Sequence, residues 1–472
     1  MRCWAALLVG KIVAFFCRFF RYSGTSLPGA VALKICPQLL DILAPAYGQV
    51  VAVTGTNGKT TTANLIAHLL RSSGSSVINN HEGANMLSGV ATALIRDCTL
   101  HGKARSQVAV LEVDEGSVGK VFPVVKPDLV VVTNYFRDQL DRYCELDHNI
   151  TMLRRVLADL PQTSLLLNAD DPLVVTAGRG QSAVSYYGVE GKQSEDERGD
   201  FEIREGNLCP DCGNTLSYHY YHYGQLGDYY CSGCDFQRPV PDFLAYGIKD
   251  NDCLEFTLDV CQSKGSGEEV MAANPVRLRA NMRGFYNVYN ILAASAAAIT
   301  LGVSLQLIAV SLMEYIPSTG RMEKFFYKDR PCTLALIKNP AGVNEVLKTL
   351  LRTEGDKALV IAINDLAADG RDVSWLWDAG FEMLASPSIK KVICSGRRAG
   401  DVAVRLKYAG VPPVKLVLEP GCRESLEILG LQGAEEYYVL ASYTTLFDYA
   451  KHLRKMGKDV VKDAATSMPS LS

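Results

Sequence analysis

The sequence predicts a mostly parallel α/β fold in two domains with a small polar insertion, and three observations carry the prediction. Short apolar runs alternate with helical stretches through both halves of the chain. A glycine-rich turn follows the first run of the larger half, and two C-x-x-C pairs stand 18 residues apart in a polar stretch. Apolar strands alternating with helices mark a sheet covered on both faces, because a parallel crossover uses a helix to return the chain.

The bulk numbers agree. A chain of 472 residues is too long for one core, so two or three domains are expected. Its 48% apolar and 21% charged content is that of an ordinary globular protein. A net charge of −3 argues against a broad nucleic-acid or anionic-membrane footprint over the chain as a whole. Of the 14 cysteines, four form the two pairs. The others are scattered from Cys3 to Cys422 without the spacing of a disulfide framework, which suits a reducing cytoplasm.

Taken in order, Trp4–Phe20 is apolar but interrupted by Lys11 and Arg18, and it falls short of the roughly 20 residues of a membrane span. With no small-residue cleavage site behind it, it does not read as a signal peptide. It reads as a packed, partly amphipathic helix; the sharper alternative is a helix resting on the inner membrane surface. A helical segment is therefore expected over 1–45. Gln49–Val53 reads as a strand that runs into a Gly/Thr turn and a helix over Lys59–Leu70. Further buried strands are predicted at Gln107–Val113, Asp128–Thr133 and Ser164–Asn168, with a helix near Asp138–Leu160. From Glu190 to Asp242 the chain is polar and rich in Gly and Tyr, so it reads as an insertion. Strands resume at Leu254–Val260 and Val276–Arg279, followed by an alanine-rich helix over Asn287–Leu301. Tyr315–Arg321, with Pro317 and Gly320, reads as a linker. A second α/β unit follows, with strands at Cys332–Ile337, Leu359–Ile363, Lys391–Cys394 and Tyr437–Leu440. The expected division is a central domain over 46–318 with its insertion at about 205–240, a C-terminal domain over 325–461, and a disordered tail over 462–472.

The nucleotide chemistry is carried by the segment from Val51 to Thr62, whose core is Thr54-Gly55-Thr56-Asn57-Gly58-Lys59-Thr60-Thr61. A strand ends, glycines let the backbone fold close to an anion, and the next helix presents its free N–H groups. Lys59 is expected to face solvent and supply charge to terminal phosphates, and the Thr60 hydroxyl to ligate Mg²⁺. Val53 stands where the usual loop has its first glycine, so this is a shorter form with Gly55 and Gly58.

The T-G-T-N-G-K-T-T string resembles the Mur ligase superfamily, which includes the peptidoglycan peptide ligases and folylpolyglutamate synthase. Other strings agree in order. Leu111-Glu-Val-Asp-Glu115 ends a strand where the family places a Mg²⁺-binding glutamate, and Thr133-Asn134 with Asp138 resembles the next strand's exit. Asn168-Ala-Asp-Asp171 resembles the N-x-D-D turn. Gly284-Phe-Tyr-Asn-Val-Tyr-Asn290 resembles a G-x-H-N-x-x-N helix start, with Tyr286 in place of histidine. Thr319-Gly-Arg-Met-Glu323 resembles the G-R-x-E linker. The resemblance implies a central P-loop-type ATP-binding domain followed by a smaller Rossmann-like domain. It also implies a reaction in which ATP phosphorylates a carboxylate and an amine attacks the acyl phosphate. It assigns Gly55 to Thr61, Asn287, Asn290 and Arg321 to the nucleotide, Lys59 to phosphate stabilisation, and Thr60 and Glu112 to Mg²⁺.

Cys209, Cys212, Cys231 and Cys234 have the spacing of a four-thiolate zinc ribbon. Four thiolates close the coordination, so the zinc is expected to be structural. His219 and His222, between the knuckles, are read as part of the ribbon hairpin and not as ligands.

The C-terminal unit departs from the amino-acid-adding ligases. Leu336-Ile-Lys-Asn-Pro-Ala-Gly342 carries Lys338 where those enzymes have histidine. Together with the ribbon, Asn80-His-Glu-Gly-Ala-Asn-Met86 and the stretch Ile363–Asp378, it resembles the amidating branch of the superfamily, the ligase subunits that act on lipid II. That resemblance implies ATP activation of the α-carboxyl of the stem-peptide D-glutamate and attack by ammonia to give D-isoglutamine. It implies a separate glutaminase partner of the GatD type in a heterodimer, with Asp372 or Asp378 completing the partner's Cys–His pair. This chain has no glutaminase nucleophile elbow, and Cys394 in Ile-Cys-Ser-Gly lacks the pattern. The rivals are a self-sufficient ligase adding an amino acid, which the ribbon and the altered Asn-Pro string disfavour, and a zinc-ribbon nucleic-acid binder, which the acidic balance disfavours. The expected place of work is the cytoplasm, with at most peripheral membrane contact and no nucleic acid.

Overall fold

A computed structural model describes residues 2–20, 24–80, 84–136, 146–191, 207–250, 253–261, 274–317, 319–366, 368–456 and 458–459. Asp138, His81 and the tail over 462–472 lie outside the described residues.

The larger half is built on runs such as Val-Val-Ala-Val and Leu-Val-Val-Val, which are buried on both faces and pair in parallel. Its first strands are β1 (Gln49–Thr54), β2 (Val77–Asn79), β3 (Val108–Glu112), β4 (Leu129–Val132), β5 (Ser164–Asn168) and β6 (Val184–Val189). A hairpin of β7 (Leu216–Tyr223) and β8 (Leu226–Cys231) interrupts the sheet in sequence. Three strands complete the sheet: β9 (Phe243–Asp250), β10 (Leu254–Val260) and β11 (Val276–Ala280). The nine-stranded order is β11-β10-β9-β6-β5-β4-β1-β3-β2. From β9 to β2 the neighbours run parallel, and only β10 and β11 are antiparallel. Because β1 lies between β3 and β4, the chain segments leaving these three strands emerge side by side at one edge.

The helix Lys59–Ser72 packs against the alanine-rich helix Tyr286–Thr300 in one core. Ala293, Ala294, Ala296, Ala297 and Ala298 are fully buried, and their small side chains let the two helices approach. On the opposite face, helices Arg2–Phe19, Leu27–Ile35 and Leu87–Asp97 share a second core with β3 and β4. Cys3 and Cys36 are brought side by side there, with their Cα atoms 5.4 Å apart, a proximity that their scattered spacing concealed.

The second unit has strands β12 (Arg321–Tyr327), β13 (Arg330–Leu336), β14 (Lys357–Ala362), β15 (Ile389–Ser395), β16 (Leu416–Leu418), β17 (Glu436–Ala441) and β18 (Lys458–Asp459). Their order is β16-β15-β14-β17-β13-β12-β18, parallel from β16 to β13. Arg321, expected in a linker, instead opens β12, which pairs antiparallel with β13 and alternates Phe325 and Tyr327 inward with more exposed neighbours.

The turn after β5 ties the hairpin to the sheet. Asp170 is fully buried; one carboxylate oxygen accepts from Arg238 Nε at 2.6 Å, and the other from the Tyr289 hydroxyl at 2.6 Å and the Val189 amide at 2.9 Å. Asp171 caps the next short helix and accepts from the Tyr135 amide at 2.8 Å. Burial holds its carboxyl up at about 6 against the pull of these donors. Removing one partner of a buried ion pair costs about 3–5 kcal/mol. Asp170→Ala should therefore lower the unfolding free energy by about that amount in urea titration, and a change below about 1 kcal/mol would contradict this role for the turn.

Candidate functional site

β1 ends at Thr54 and the chain turns through Gly55 and Gly58 into the helix Lys59–Ser72. Gly58 holds φ +83°, and a Cβ there would stand 2.0 Å from Asn290 Oδ1. Gly55 holds φ +122°, and its Cβ would fall on Thr133 Oγ1 at 2.3 Å. Both positions are closed to side chains, which is why this loop is glycine at these two points. Asn134 laces the loop from the neighbouring strand. Its carbonyl accepts from the Thr56 amide at 2.7 Å, and its side-chain oxygen accepts from the Asn57 amide at 2.9 Å. Thr56 Oγ1 donates to the Phe136 carbonyl and accepts from its amide, both at 3.1 Å.

Lys59 does not face solvent as expected; its side chain is 6% exposed. The ammonium folds back over the loop to the carbonyls of Gly55 and Thr56 and pairs with Glu115 at 2.8 Å. Burial alone would lower its pKa, but the carboxylates of Glu115, Asp114 and Glu112 outweigh it and hold the pKa above the ordinary lysine value. The loop carbonyls and two strand ends crowd the helix start, and a buried cation there must be paired.

Glu112 lies beside Val53 in the register of β3 on β1. It is 3% exposed, and one oxygen accepts from Asn85 Nδ2 at 3.0 Å. The other, Oε2, is buried with no hydrogen-bond partner among the described residues. A carboxylate oxygen kept dry and unpaired suits a hard cation, and the half-buried Thr60 hydroxyl stands on the adjacent loop. The residues present therefore fit a Mg²⁺ ion. Thr61 is buried in the same helix turn.

Asn287 and Asn290 are brought to the loop by the alanine-rich helix. Asn290 Nδ2 donates to Asn287 Oδ1 at 2.9 Å, and Thr62 Oγ1 reaches Asn290 Oδ1 at 3.5 Å. Arg321 acts electrostatically on Tyr286, whose hydroxyl burial raises to about 12 against the pull of that guanidinium. Asp372 and Asp378 stand in the second unit, after β14. Asp372 Oδ1 accepts from the Ser374 amide at 2.8 Å, and Asp378 ends the short helix Ser374–Trp377.

Four residues that the sequence reading left without a role also build this site. Glu115 was legible only as the last acid of the Glu-Val-Asp-Glu string, and Asn134 only as a strand exit. Lys338 and Asn339 come from the other unit: Asn339 Nδ2 donates to Asn57 Oδ1 at 2.9 Å, and Lys338 Nζ to the Thr56 carbonyl at 3.4 Å. Their contact could not be read from a string 282 residues away.

In the insertion, the sulfurs of Cys209, Cys212, Cys231 and Cys234 lie within 4.8 Å of one another. The Cys209–Cys234 and Cys212–Cys231 separations are 3.5 and 3.4 Å. The amides of Asp211 and Gly233 point at Cys209 and Cys231 Sγ, each at 3.4 Å. Four sulfurs at these spacings fit a tetrahedral metal ion. His219 stacks on Tyr230, and buried His222 bonds the Val189 carbonyl at 3.1 Å, so both belong to the hairpin.

A glycine phosphate loop at the edge of a parallel sheet, with a second α/β unit leaning on it, defines the Mur-type ligase class. The solved structures agree on the fold. A pseudomurein peptide ligase type C from Methanothermus fervidus superposes with a TM-score of 0.67 at 23% identity, over 86% of this chain and 78% of that one. The MurF ligase from Thermotoga maritima, solved with ADP, superposes at 0.60 and 14% identity, over 90% and 84%. The Mur ligase middle-domain family matches residues 53–209, and the MurT ligase C-terminal family matches 336–446. The lipid II isoglutaminyl synthase (glutamine-hydrolyzing) subunit MurT of Staphylococcus aureus is 37% identical over 419 residues, 89% of this chain and 90% of the relative. Its Streptococcus pneumoniae counterpart is 34% identical over 432 residues, 91% and 92%. The chain belongs to the MurT family of the Mur ligase superfamily.

Lys59→Ala removes the ammonium that pairs with the buried Glu115 carboxylate, so it should cost about 3–5 kcal/mol of stability. The double substitution Lys59→Met with Glu115→Gln should recover most of that loss in thermal and urea unfolding. If Lys59→Ala is as stable as the parent, the buried pair does not exist.

Proposed function

We propose that this chain is the ATP-using subunit of an enzyme that amidates lipid II. ATP phosphorylates the α-carboxyl of the stem-peptide D-glutamate, and ammonia displaces phosphate from the acyl phosphate to leave D-isoglutamine. The ammonia comes from glutamine on a glutaminase partner of the GatD type in a heterodimer. The observation that carries this reading is the phosphate loop with Lys59 held among Glu115, Asp114 and Glu112. The curated relatives of this length are named as subunits of a glutamine-hydrolysing lipid II isoglutaminyl synthase, which supports both the substrate and the need for a partner.

Phosphoryl transfer asks the protein mainly to place and neutralise charge. Lys59 would exchange its loop carbonyls for phosphate oxygens, and Gly55, Thr56, Asn57, Gly58 and Thr61 would present the loop backbone. Asn287, Asn290 and Arg321 would hold the nucleotide from the flanking helix and strand. Thr60 and the free Glu112 oxygen would hold Mg²⁺, which when bound supplies charge neutralisation at the phosphates. Asp372 or Asp378 would orient the partner's histidine. The division into 1–45, 46–318, 325–461 and a tail over 462–472 fits this labour, with the nucleotide in the central part and the partner on the C-terminal one. Action on a lipid places the work at the inner membrane face. Among the described residues no single helix is long and apolar enough to cross a membrane.

The isolated chain should amidate lipid II slowly with free ammonium and ignore glutamine, and the glutaminase subunit should switch glutamine use on. Asp372→Ala or Asp378→Ala should remove glutamine-dependent turnover by up to about 10⁴ while sparing the ammonium reaction. If both keep full glutamine-dependent activity, neither orients the partner's histidine. If the isolated chain ligates a free amino acid, amidation is the wrong reaction.

The four cysteines should bind one zinc per chain, measured by atomic emission on protein purified without chelator. Cys231→Ser should lose the zinc and lower the melting temperature, because metal binding at such sites contributes to folding. A metal-free protein with the parental melting temperature would exclude the site.

A further inference from the structure

Helix Arg2–Phe19 turns one narrow side inward, with Ala6, Leu7, Gly10 and Cys17 buried. At 100° per residue, Trp4, Ile12, Phe15, Phe16 and Phe19 fall together on the other side. They are the opposite of a solvated face: Trp4 is 54% exposed, Phe15 65% and Phe19 69%. Phe15 stacks on Phe19, and Phe16 on Phe20, each at 6.4 Å, so the rings form one surface. At half exposure, five such side chains leave on the order of 500 Å² of apolar area, the size at which a patch marks an interaction site.

The charges around the face identify its partner. The first 40 residues contain no Asp or Glu but carry Arg2, Lys11, Arg18, Arg21 and Lys34, in a chain of net charge −3. Lys11 is turned inward to the carbonyls of Ile95 and Cys98, while Arg18 and Lys34 are exposed. An aromatic face on a segment whose own charges are all cationic suits a lipid interface with anionic headgroups. The turn that follows the helix also borders the site: Thr25 lines a cavity with Asn80, whose side-chain amide donates to the Glu112 carbonyl at 2.8 Å.

We propose that this helix docks the protein on a bilayer bearing anionic lipids, lying in the plane of the interface with its aromatic side inserted. The docking deepens the lipid-substrate reading above, since it holds the flank of the site at the surface where a lipid-linked substrate resides. It does not depend on turnover, so it is tested without lipid II. The full chain is sedimented with vesicles of equal parts phosphatidylglycerol and phosphatidylcholine, and with phosphatidylcholine alone. The parent should partition onto the mixed vesicles, more weakly onto the neutral ones, and less at high salt. Phe15→Ser with Phe19→Ser should weaken partition by about a hundredfold, as expected when two phenylalanines no longer enter an apolar phase. Its melting temperature should be unchanged, since both side chains are exposed. Failure of the parent to partition, or equal partition by the variant, overturns the proposal. So does a self-associated parent that the variant converts to monomer without any vesicle binding, which would give the face to a second copy. Vesicle binding by a chain that does not amidate lipid II would uphold the docking and refute the reaction.

Discussion

A lysine ammonium 6% exposed at the start of a helix constrains everything around it. A charge in that position is intolerable without partners, and it finds them in two loop carbonyls and Glu115. Glu115 is available because β3 lies parallel to β1 and in register with it, so the segment after β3 emerges next to the loop. The same parallel pairing on the other side delivers Asn134 from β4. The strand order is thus the means by which one cation is neutralised and one loop is held. Glycine at 55 and 58 follows from it, since the laced strands and Asn290 leave no room for a Cβ.

The four-cysteine insertion is part of this arrangement. Its hairpin tip is fully buried at Gln225, whose side-chain amide reaches Asp171 Oδ2 at 3.3 Å, and Asp171 in turn accepts from the Tyr135 amide. Tyr223 stacks on Phe136, and Phe136 exchanges hydrogen bonds with Thr56 of the loop. A continuous chain of contacts therefore joins the four-sulfur cluster to the glycine loop. Asp170, shared between Arg238 of the ribbon and Tyr289 of the alanine-rich helix, fixes the hairpin's seat.

What the sequence disclosed follows from range. The central strands were legible in two ways, Ser164–Asn168 as a short aliphatic run buried on both faces and Leu254–Val260 by its alternation, and both match to the residue. The loop and the cysteine knuckles were legible because their chemistry is set within a few residues. β6 and β9 were missed because Ser, Tyr, Gly and Lys dilute their alternation, and β9, just past the insertion, was left unassigned. Burial of Lys59 was missed because the groups that cover it come from two other strands. Arg321 was read as linker because the Gly320 before it outweighed the weak alternation behind it.

The contact between the two halves is small, and its chemistry explains why the altered string after β13 matters. Asn339 caps the helix Pro340–Leu351 through the Gly342 amide, and the same side chain exchanges hydrogen bonds with Asn57 of the loop. Lys338 adds one bond to the Thr56 carbonyl, and Arg352 pairs with Asp250 at 3.1 Å. Neutral amide pairs are worth about 1 kcal/mol each and partly exposed ion pairs no more. Such an interface yields to anything that binds the loop more strongly, and phosphate oxygens would compete for the Asn57 and Lys338 donors. A histidine at 338 would reach less far and carry charge only below neutral pH. A lysine keeps a cation on the second half aimed at the loop of the first, so a phosphate bound at the loop would meet the same few atoms that seat the C-terminal half.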